Sequence, residues 1–192
     1  ISSPDPYEAC KVLDDGACGV VAPYIESANE VKKLVGATKY RPLKGKRLSD
    51  SLDNITHMDN NLRQYIDKFC NDNILIINVE SQPAVDNLDQ LLSIPGVDGI
   101  LIGPHDLSSS LGIPEEFDNP LFDKTVRKVI DKARSKQIGV GIHFWSGLDM
   151  EIAWVKAGAN LIVHSSDDNI FAAGLRRDIQ AIKKSVGDKI QT

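Results

Sequence analysis

The chain has 192 residues, of which 42% are hydrophobic and 26% are charged, a composition that excludes an intrinsically disordered protein. Its net charge of −5 argues against nucleic acid or an anionic membrane as a partner. No apolar run approaches the roughly 18 residues of a membrane span, and three cysteines lack CxxC spacing. We expect no signal peptide ahead of Ile1. We therefore expect one cytoplasmic domain over residues 1–192, with reduced thiols.

The first elements in chain order are a helix, a buried strand and a second helix. Asp5 or Ser3 caps a helix that ends near Gly16. The apolar run CGVVAP, residues 18–23, is too short for a helix and predicts a buried strand. A helix follows over residues 27–37, with apolar residues on one face.

Residues 38–70 show weak periodicity. We interpret most of this connection as a functional loop or an oligomer contact, with a helix over residues 61–69. Its basic residues suit either a phosphate or carboxylate site, or a solvated or intersubunit turn, and the pattern favours the turn. These residues are Arg41, Lys44, Lys46 and Arg47.

A strand, a helix and a second strand follow, and a carboxylate stands just after each strand. The apolar runs are residues 74–79 and 99–102, and the carboxylates are Glu80 and Asp106. A right-handed crossover makes the two strands parallel and usually neighbours, about 4.8 Å apart. Both carboxylates then lie at the carboxyl edge of the sheet, where α/β proteins place their chemistry.

The rest of the chain continues the alternation. We predict a helix over residues 120–136, a strand in IGVGIHF, a helix over 148–157, a strand in ANLIVHS and a helix over 167–186. Five strands result, with Ile1 as a candidate stub of a sixth. Since a (β/α)₈ barrel usually needs about 250 residues, the pattern predicts either an open doubly wound sheet or a barrel that lacks its first part.

Glu80 and Asp106 are the strongest site candidates. Two carboxylates at adjacent strand ends suit a hard cation such as Mg²⁺ or Mn²⁺. The alternative is that each caps a helix or turn. Gly103 and Pro104 either let the backbone approach a ligand, with N–H groups near Asp106 facing a substrate carboxylate, or form a plain rigid turn.

The histidines and tryptophans give weaker signals. His143 and His164 stand near strand ends and either face the site or are satisfied polar residues. His105 points away if Asp106 points inward, because adjacent residues diverge. His57 lies in a polar loop, and Trp145 and Trp154 are expected in the core or at an interface.

The segment NVESQPAVDNLDQLLSIPGVDGILIGPHDLSSSLG, residues 78–112, closely resembles the HpcH/HpaI aldolase family. Residues 16–42 and 156–175 resemble the family's earlier strand with its proline and its last strand and helix. The resemblance covers nearly the whole chain. Its most specific part is VES paired with GPxDLSxSLG, in which Glu80 and Asp106 are separated by 26 positions.

This resemblance implies a TIM (β/α)₈ barrel that here lacks its first strands, and a metal-dependent aldolase. Such enzymes cleave 4-hydroxy-2-oxo acids to pyruvate and an aldehyde through a metal-stabilised enolate. The family's metal ligands match Glu80 and Asp106, which would hold Mg²⁺, Mn²⁺ or Co²⁺. The turn of Gly103, Pro104, His105 and Asp106 would bind the pyruvate end. A homo-oligomer, in the family a hexameric trimer of dimers, is also implied.

The chain departs from the family at three points, one of which is the poorly matched segment of residues 49–62, interpreted as a lineage-specific loop. The family's catalytic histidine and substrate-binding arginine lie upstream of Ile1, so we assign no catalytic residue in this chain. Asn78 replaces a glutamine and would reach a metal-bound water through a shorter arm. Two other functions stay open: a citrate-lyase-like cleavage of a CoA thioester, and a truncated, inactive barrel that serves as a scaffold.

Overall fold

The computed structural model describes residues 1–53 and 58–187, and five parallel strands lie within them. The strands are β1 (Gly19–Ala22), β2 (Ile74–Val79), β3 (Gly99–Ile102), β4 (Gly139–Phe144) and β5 (Leu161–His164). The helices are α1 (Pro6–Asp14), α2 (Ala28–Lys39), α3 (Gly45–Asp53), α4 (Asn60–Cys70), α5 (Gln82–Asp86), α6 (Leu88–Leu91), α7 (Pro104–Ser110), α8 (Pro120–Ser135), α9 (Leu148–Lys156) and α10 (Asp167–Val186).

The strands follow one another in the sheet in chain order, each parallel to the next. Val79 is level with Ile102, and Ile102 is level with Ile142, so the carboxyl ends of β2, β3 and β4 lie at one edge. The prediction of five parallel strands alternating with helices is confirmed. Ile1 belongs to no strand, although its amino group donates a hydrogen bond to the Val21 carbonyl oxygen, 3.1 Å away.

The two faces of the sheet differ in burial because the described helices cover only one of them. On the helix-covered face, Ile77, Ile100 and Val140 are level with one another and fully buried. On the other face, Asn78 and Leu101 are level with each other and only half-buried. The apolar core therefore lies between the sheet and its helices.

Local capping chemistry sets the helix ends that the sequence predicted. The Asp5 carboxylate caps α1 by accepting a hydrogen bond from the Tyr7 N–H. Ser27 and Glu30 form a reciprocal capping box at the start of α2. Gly16 follows α1 with φ +100°, a left-handed conformation that glycine adopts without steric cost.

The segment from residue 38 to 70 corrects a prediction. In place of a long loop it holds α3 as well as α4. Helix α3 was missed because its sequence is strongly polar: Leu48 and Leu52 are its large apolar residues, and it buries only Ser51. An ion pair between Lys46 and Asp50, one turn apart, supports it. His57 lies outside the described residues.

The connection between β2 and β3 also differs in detail. We expected one helix, whereas the structure has the short helices α5 and α6, which meet at Asn87. Residues 1–53 and 58–187 include no helix that is both long and apolar enough to cross a membrane.

Candidate active site

Glu80 follows β2 directly, and its carboxylate is held by two hydrogen bonds. The residue is 8% exposed. Its Oε1 accepts from the backbone N–H of Tyr24 at 2.7 Å, and its Oε2 accepts from Asn78 Nδ2 at 3.1 Å. Ser81 caps α5 instead, by accepting from the Ala84 N–H. The interpretation of Glu80 as a helix cap is therefore wrong, and its carboxylate is held by Tyr24 and Asn78 instead.

Gly103 makes the position of Glu80 sterically possible. A Cβ atom added at Gly103 would lie 2.6 Å from Glu80 Oε2 and 2.9 Å from Glu80 Cβ. Its φ of −88° is open to any residue, so the requirement for glycine is one of space. The close backbone approach expected at Gly103 is thus made to the side chain of Glu80.

Asp106 lies in the first turn of α7, whose cap is Gly103. It is therefore not the helix cap of the alternative interpretation. Its side chain is exposed and makes no hydrogen bond or ion pair with any described residue. The Leu107 N–H bonds the Gly103 carbonyl oxygen, and the preceding N–H groups of His105 and Asp106 have no intrahelical acceptor. This helix end thus presents a carboxylate and two backbone donors.

His105 turns toward the end of β4. Its ring stacks on Trp145 with centroids 4.8 Å apart, and its Nδ1 lies 3.3 Å from Glu115 Oε1. Trp145 follows β4 directly, so it belongs to the same sheet edge as Glu80. Sequence reasoning missed this contact, and also the Tyr24 N–H. Tyr24 and Trp145 each stand just beyond the end of a strand, and this position was the sequence signal that could have identified them.

His143 and His164 lie on opposite faces of the sheet. His143 is on the face of Asn78, and its Nε2 lies 2.8 Å from the Ser165 carbonyl oxygen. His164 is on the other face, with Nδ1 2.6 Å from Glu151 Oε2. The structure therefore does not bring His164 to the side on which Asn78 lies.

The residues present fit a hard divalent cation. No group of three or more metal-ligating side chains occurs in residues 1–53 and 58–187, so protein donors would come from the two carboxylates alone. Mg²⁺ and Mn²⁺ accept such a set, because water and substrate oxygens complete their coordination. The buried Oδ1 of Asn78 has no hydrogen-bond partner in the described structure, as expected of a group that would accept from a cation-bound water.

Comparison with known proteins decides the family. The sequence profile described as HpcH/HpaI aldolase/citrate lyase matches residues 2–173. The chain belongs to this family. The resemblance carried by residues 78–112 is thereby confirmed.

Curated relatives within the family are aldolases. The chain is 30% identical over 176 residues to the 2-keto-3-deoxy-L-rhamnonate aldolase of Escherichia coli O1:K1 / APEC. It is 29% identical over 178 residues to the same-named enzyme of Klebsiella pneumoniae subsp. pneumoniae. Each match covers 90% of this chain and 64% of the relative, so the chain spans just under two thirds of their length.

Solved structures show the same fold. The HpcH/HpaI aldolase from Desulfitobacterium hafniense DCB-2 superposes with a TM-score of 0.78 at 24% identity, covering 97% of this chain and 72% of that one. Together with the five consecutive parallel strands, this likeness confirms the predicted α/β fold of TIM-barrel type.

Proposed function

We propose that the protein is a metal-dependent aldolase, a carbon–carbon lyase that cleaves 4-hydroxy-2-oxo acids to pyruvate and an aldehyde. The observation that carries the proposal is the pairing of a held carboxylate, Glu80, with an open one, Asp106, at the ends of adjacent strands. The names of the curated relatives support a 2-keto-3-deoxy sugar acid as the first substrate to test.

Glu80 and Asp106 would hold Mg²⁺, Mn²⁺ or Co²⁺. When bound, the cation would act as a Lewis acid for the negative charge that develops on the keto oxygen of the pyruvate half. Tyr24 and Asn78 keep the Glu80 carboxylate oriented through their hydrogen bonds. Pre-orientation of this kind favours reaction because no reorganisation is needed when charge develops.

The first turn of α7 would bind the pyruvate carboxylate. The N–H groups of His105 and Asp106 point out of the helix end, where the helix dipole favours an anion. Pro104 fixes the first helical φ, and Gly103 allows the turn to sit against Glu80. The stack of His105 on Trp145 supports the turn. We assign the proton-transfer step to no residue of this chain.

The decisive experiment measures pyruvate release from 2-keto-3-deoxy-L-rhamnonate with and without EDTA. We expect release to stop with EDTA and to return with excess Mg²⁺ or Mn²⁺. Activity that EDTA leaves unchanged would remove the metal role of Glu80 and Asp106.

A direct binding measurement keeps the metal role testable without turnover. Glu80→Gln should weaken Mn²⁺ binding at least about tenfold by titration calorimetry, since it removes the charged ligand but keeps the shape. Asp50→Asn, which changes a carboxylate on α3, is the matched control and should bind Mn²⁺ normally. Equal affinity of the two variants would contradict the assignment.

Citrate-lyase-like cleavage of a CoA thioester is the second candidate, because the matching family description includes citrate lyase. Thermal shifts separate the two functions, since a ligand stabilises the fold that binds it. Pyruvate with Mg²⁺ should raise the melting temperature, and acetyl-CoA should not. The opposite result would favour the thioester.

We also propose that the protein forms a homo-oligomer, in line with the hexameric trimer of dimers implied by the resemblance. Helix α10 supports this, because it buries no side chain and exposes large apolar residues at helical spacing. These residues are Ile170, Phe171, Leu175, Ile179, Ile182 and Val186. Light scattering should show a mass above one chain, and a stable monomer at micromolar concentration would contradict it.

Three free cysteines support a cytoplasmic location.

A further inference from the structure

A cavity with a volume of about 530 Å³ lies among α1, α2, α3, α4 and the segment after α2. None of the residues assigned to the candidate active site is among the described residues that line it. The volume is within the range of small-molecule sites. Arg41 and Lys44 of the basic segment, which have no role in the proposed function, also line the cavity.

The wall of this cavity is cationic. Lys33, Arg41 and Lys44 line it, and Asp14 is the one carboxylate among the described lining residues, which gives a net charge of +2 in a chain whose total is −5. The other two members of the basic segment, Lys46 and Arg47, do not line the cavity and form ion pairs with Asp50 of α3 and Asp59, the α4 cap. The local field therefore favours an anion, against the overall charge of the protein.

Arg41 is fixed in place at the wall of this cavity. Its Nη1 donates to the Cys10 carbonyl oxygen at 3.1 Å and also to the Asp14 carboxylate. Its buried Nε–H has no acceptor within the described structure. These contacts hold the guanidinium at the cavity wall, so its charge is placed there without further loss of side-chain freedom when an anion binds.

Aromatic rings surround the same cavity. Tyr7, Tyr65 and Phe69 line it, and each is at least half exposed. The rings of Tyr65 and Phe69 lie 4.8 Å apart at 48°. Exposed aromatic side chains grouped around a concavity are typical of binding surfaces.

We propose that this cavity binds a small organic acid in which a carboxylate is joined to an aromatic ring. Arg41 and Lys44 receive the carboxylate, and the ring packs among Tyr7, Tyr65 and Phe69. The charged wall requires the carboxylate and the rings require the apolar body, so neither half alone is a good ligand. The proposal is independent of the proposed aldolase activity.

Cys10 provides a built-in reporter of occupancy. It is half-buried and lines the cavity, whereas the exposed Cys18 does not line it. Burial raises the pKa of the Cys10 thiol, more than Arg41 and Lys44 lower it, so alkylation is best followed at alkaline pH. Iodoacetamide labelling of the two cysteines, quantified by peptide mass spectrometry, then compares a site residue with an internal control.

With 3-phenylpropionate at saturation, we expect labelling of Cys10 to slow at least threefold while labelling of Cys18 stays unchanged. Neither 3-phenylpropan-1-ol, which lacks the charge, nor propionate, which lacks the ring, should protect Cys10. An unchanged Cys10 rate, equal slowing of both cysteines, or protection by the alcohol would each overturn the proposal.

Variants test the cationic wall separately. Lys44→Gln should weaken binding of 3-phenylpropionate at least fivefold by calorimetry, because it removes a charge from the wall. Lys46→Gln is the matched control: it neutralises a lysine two positions away that does not line the cavity, and should not change affinity. Arg41→Gln, if folded by circular dichroism, should also lose affinity. Equal affinity in all three variants would refute the site.

Discussion

Helices α8 and α10 are both amphipathic and both flank strands of the same sheet. The tertiary structure nevertheless buries the apolar face of one and not of the other. Helix α8 has 16 residues and buries one stripe completely, including Phe122, Val126, Val129 and Ile130. Helix α10 has 20 residues and buries none. An amphipathic pattern thus predicts which face of a helix seeks cover, but a neighbouring surface must exist to provide it.

The strands show the same difference. On the helix-covered face of β4, Val140, Ile142 and Phe144 are buried. The residue level with Ile142 on β5 is Ile162, which is 61% exposed. The outer surface of the sheet is therefore covered as far as β4 and left open at β5. Substitutions matched between these two regions should differ in effect, and four predictions follow this contrast.

The largest effect is expected at Phe122, a fully buried ring of α8 that packs edge-on against Trp154. Phe122→Ala should lower the free energy of unfolding by about 3–5 kcal/mol, because it leaves a cavity. Phe171→Ala, on the open face of α10, should change it by less than about 0.5 kcal/mol in dilute monomer. Urea unfolding measures both values, and comparable losses would show that α10 is packed in solution.

The next effect concerns the junction between the two regions. A Cβ at Gly141 would lie 1.8 Å from the Leu161 carbonyl oxygen, so Gly141→Ala must push β4 and β5 apart. A loss of about 1–3 kcal/mol is expected, typical of overpacking. Hydrogen exchange should quicken at the amides of Asn160 and Ser165, which bond to β4.

Gly139→Ala is the control for that junction. The atom nearest to a Cβ added at Gly139 would be the Asp98 carbonyl oxygen, 3.2 Å away. This contact lies on the side of β4 that pairs with β3. Exchange at the β5 amides should be the same as in the parent protein. If Gly139→Ala frees β5 as much as Gly141→Ala does, the opening is not specific to the β4–β5 junction.

A smaller effect is expected at Asp123 of α8, which accepts hydrogen bonds from Trp154 Nε1 at 2.9 Å and from Arg127 Nε at 2.8 Å. Asp123→Asn should cost about 1 kcal/mol of unfolding free energy at neutral pH. Asp178→Asn, in the exposed pair with Arg177 on α10, should cost nothing measurable. A chemical-denaturation series gives both numbers, and equal costs would remove the contrast.

The lowered pKa of Asp123 predicts that the stability of the protein depends on pH. Burial by itself raises the pKa of this carboxyl, but the hydrogen bonds from Arg127 and Trp154 outweigh it and leave the pKa below its usual value. A depressed folded pKa stabilises the protein above the unfolded pKa of about 3.9, and this stability is lost as pH falls below it. As pH is lowered below about 4, the free energy of unfolding of the Asp123→Asn variant should therefore fall less steeply than that of the parent protein. Parallel curves would contradict the linkage.

Much of the fold could be predicted from local patterns. The cap at Asp5 and the glycine after α1 could be predicted because their chemistry acts over a few residues. The missed α3 shows the limit. Leu48 and Leu52 are the large apolar residues of this polar helix, so a single pair spaced four residues apart was the signal for it.

The candidate site was predictable as residue types but not as contacts. Glu80 and Asp106 stood out because each follows a strand, and parallel strands end at one edge. The partners of Glu80 include the Tyr24 N–H, which is 56 positions away, and the stack of His105 on Trp145 spans 40 positions. No local pattern encodes such pairs, because they depend on which strands become neighbours and on their register.

The sequence by itself determined the alternation of strands and helices, the family through residues 78–112, and the two carboxylates at the sheet edge. These features depend on periodicity, capping and motif spacing, which act along the chain. Only the tertiary structure decided that Gly103 makes room for Glu80, that Arg41 and Lys44 line a cavity with aromatic rings, and that α10 is left uncovered. Those outcomes depend on packing between distant segments, where one ångström decides whether a side chain fits.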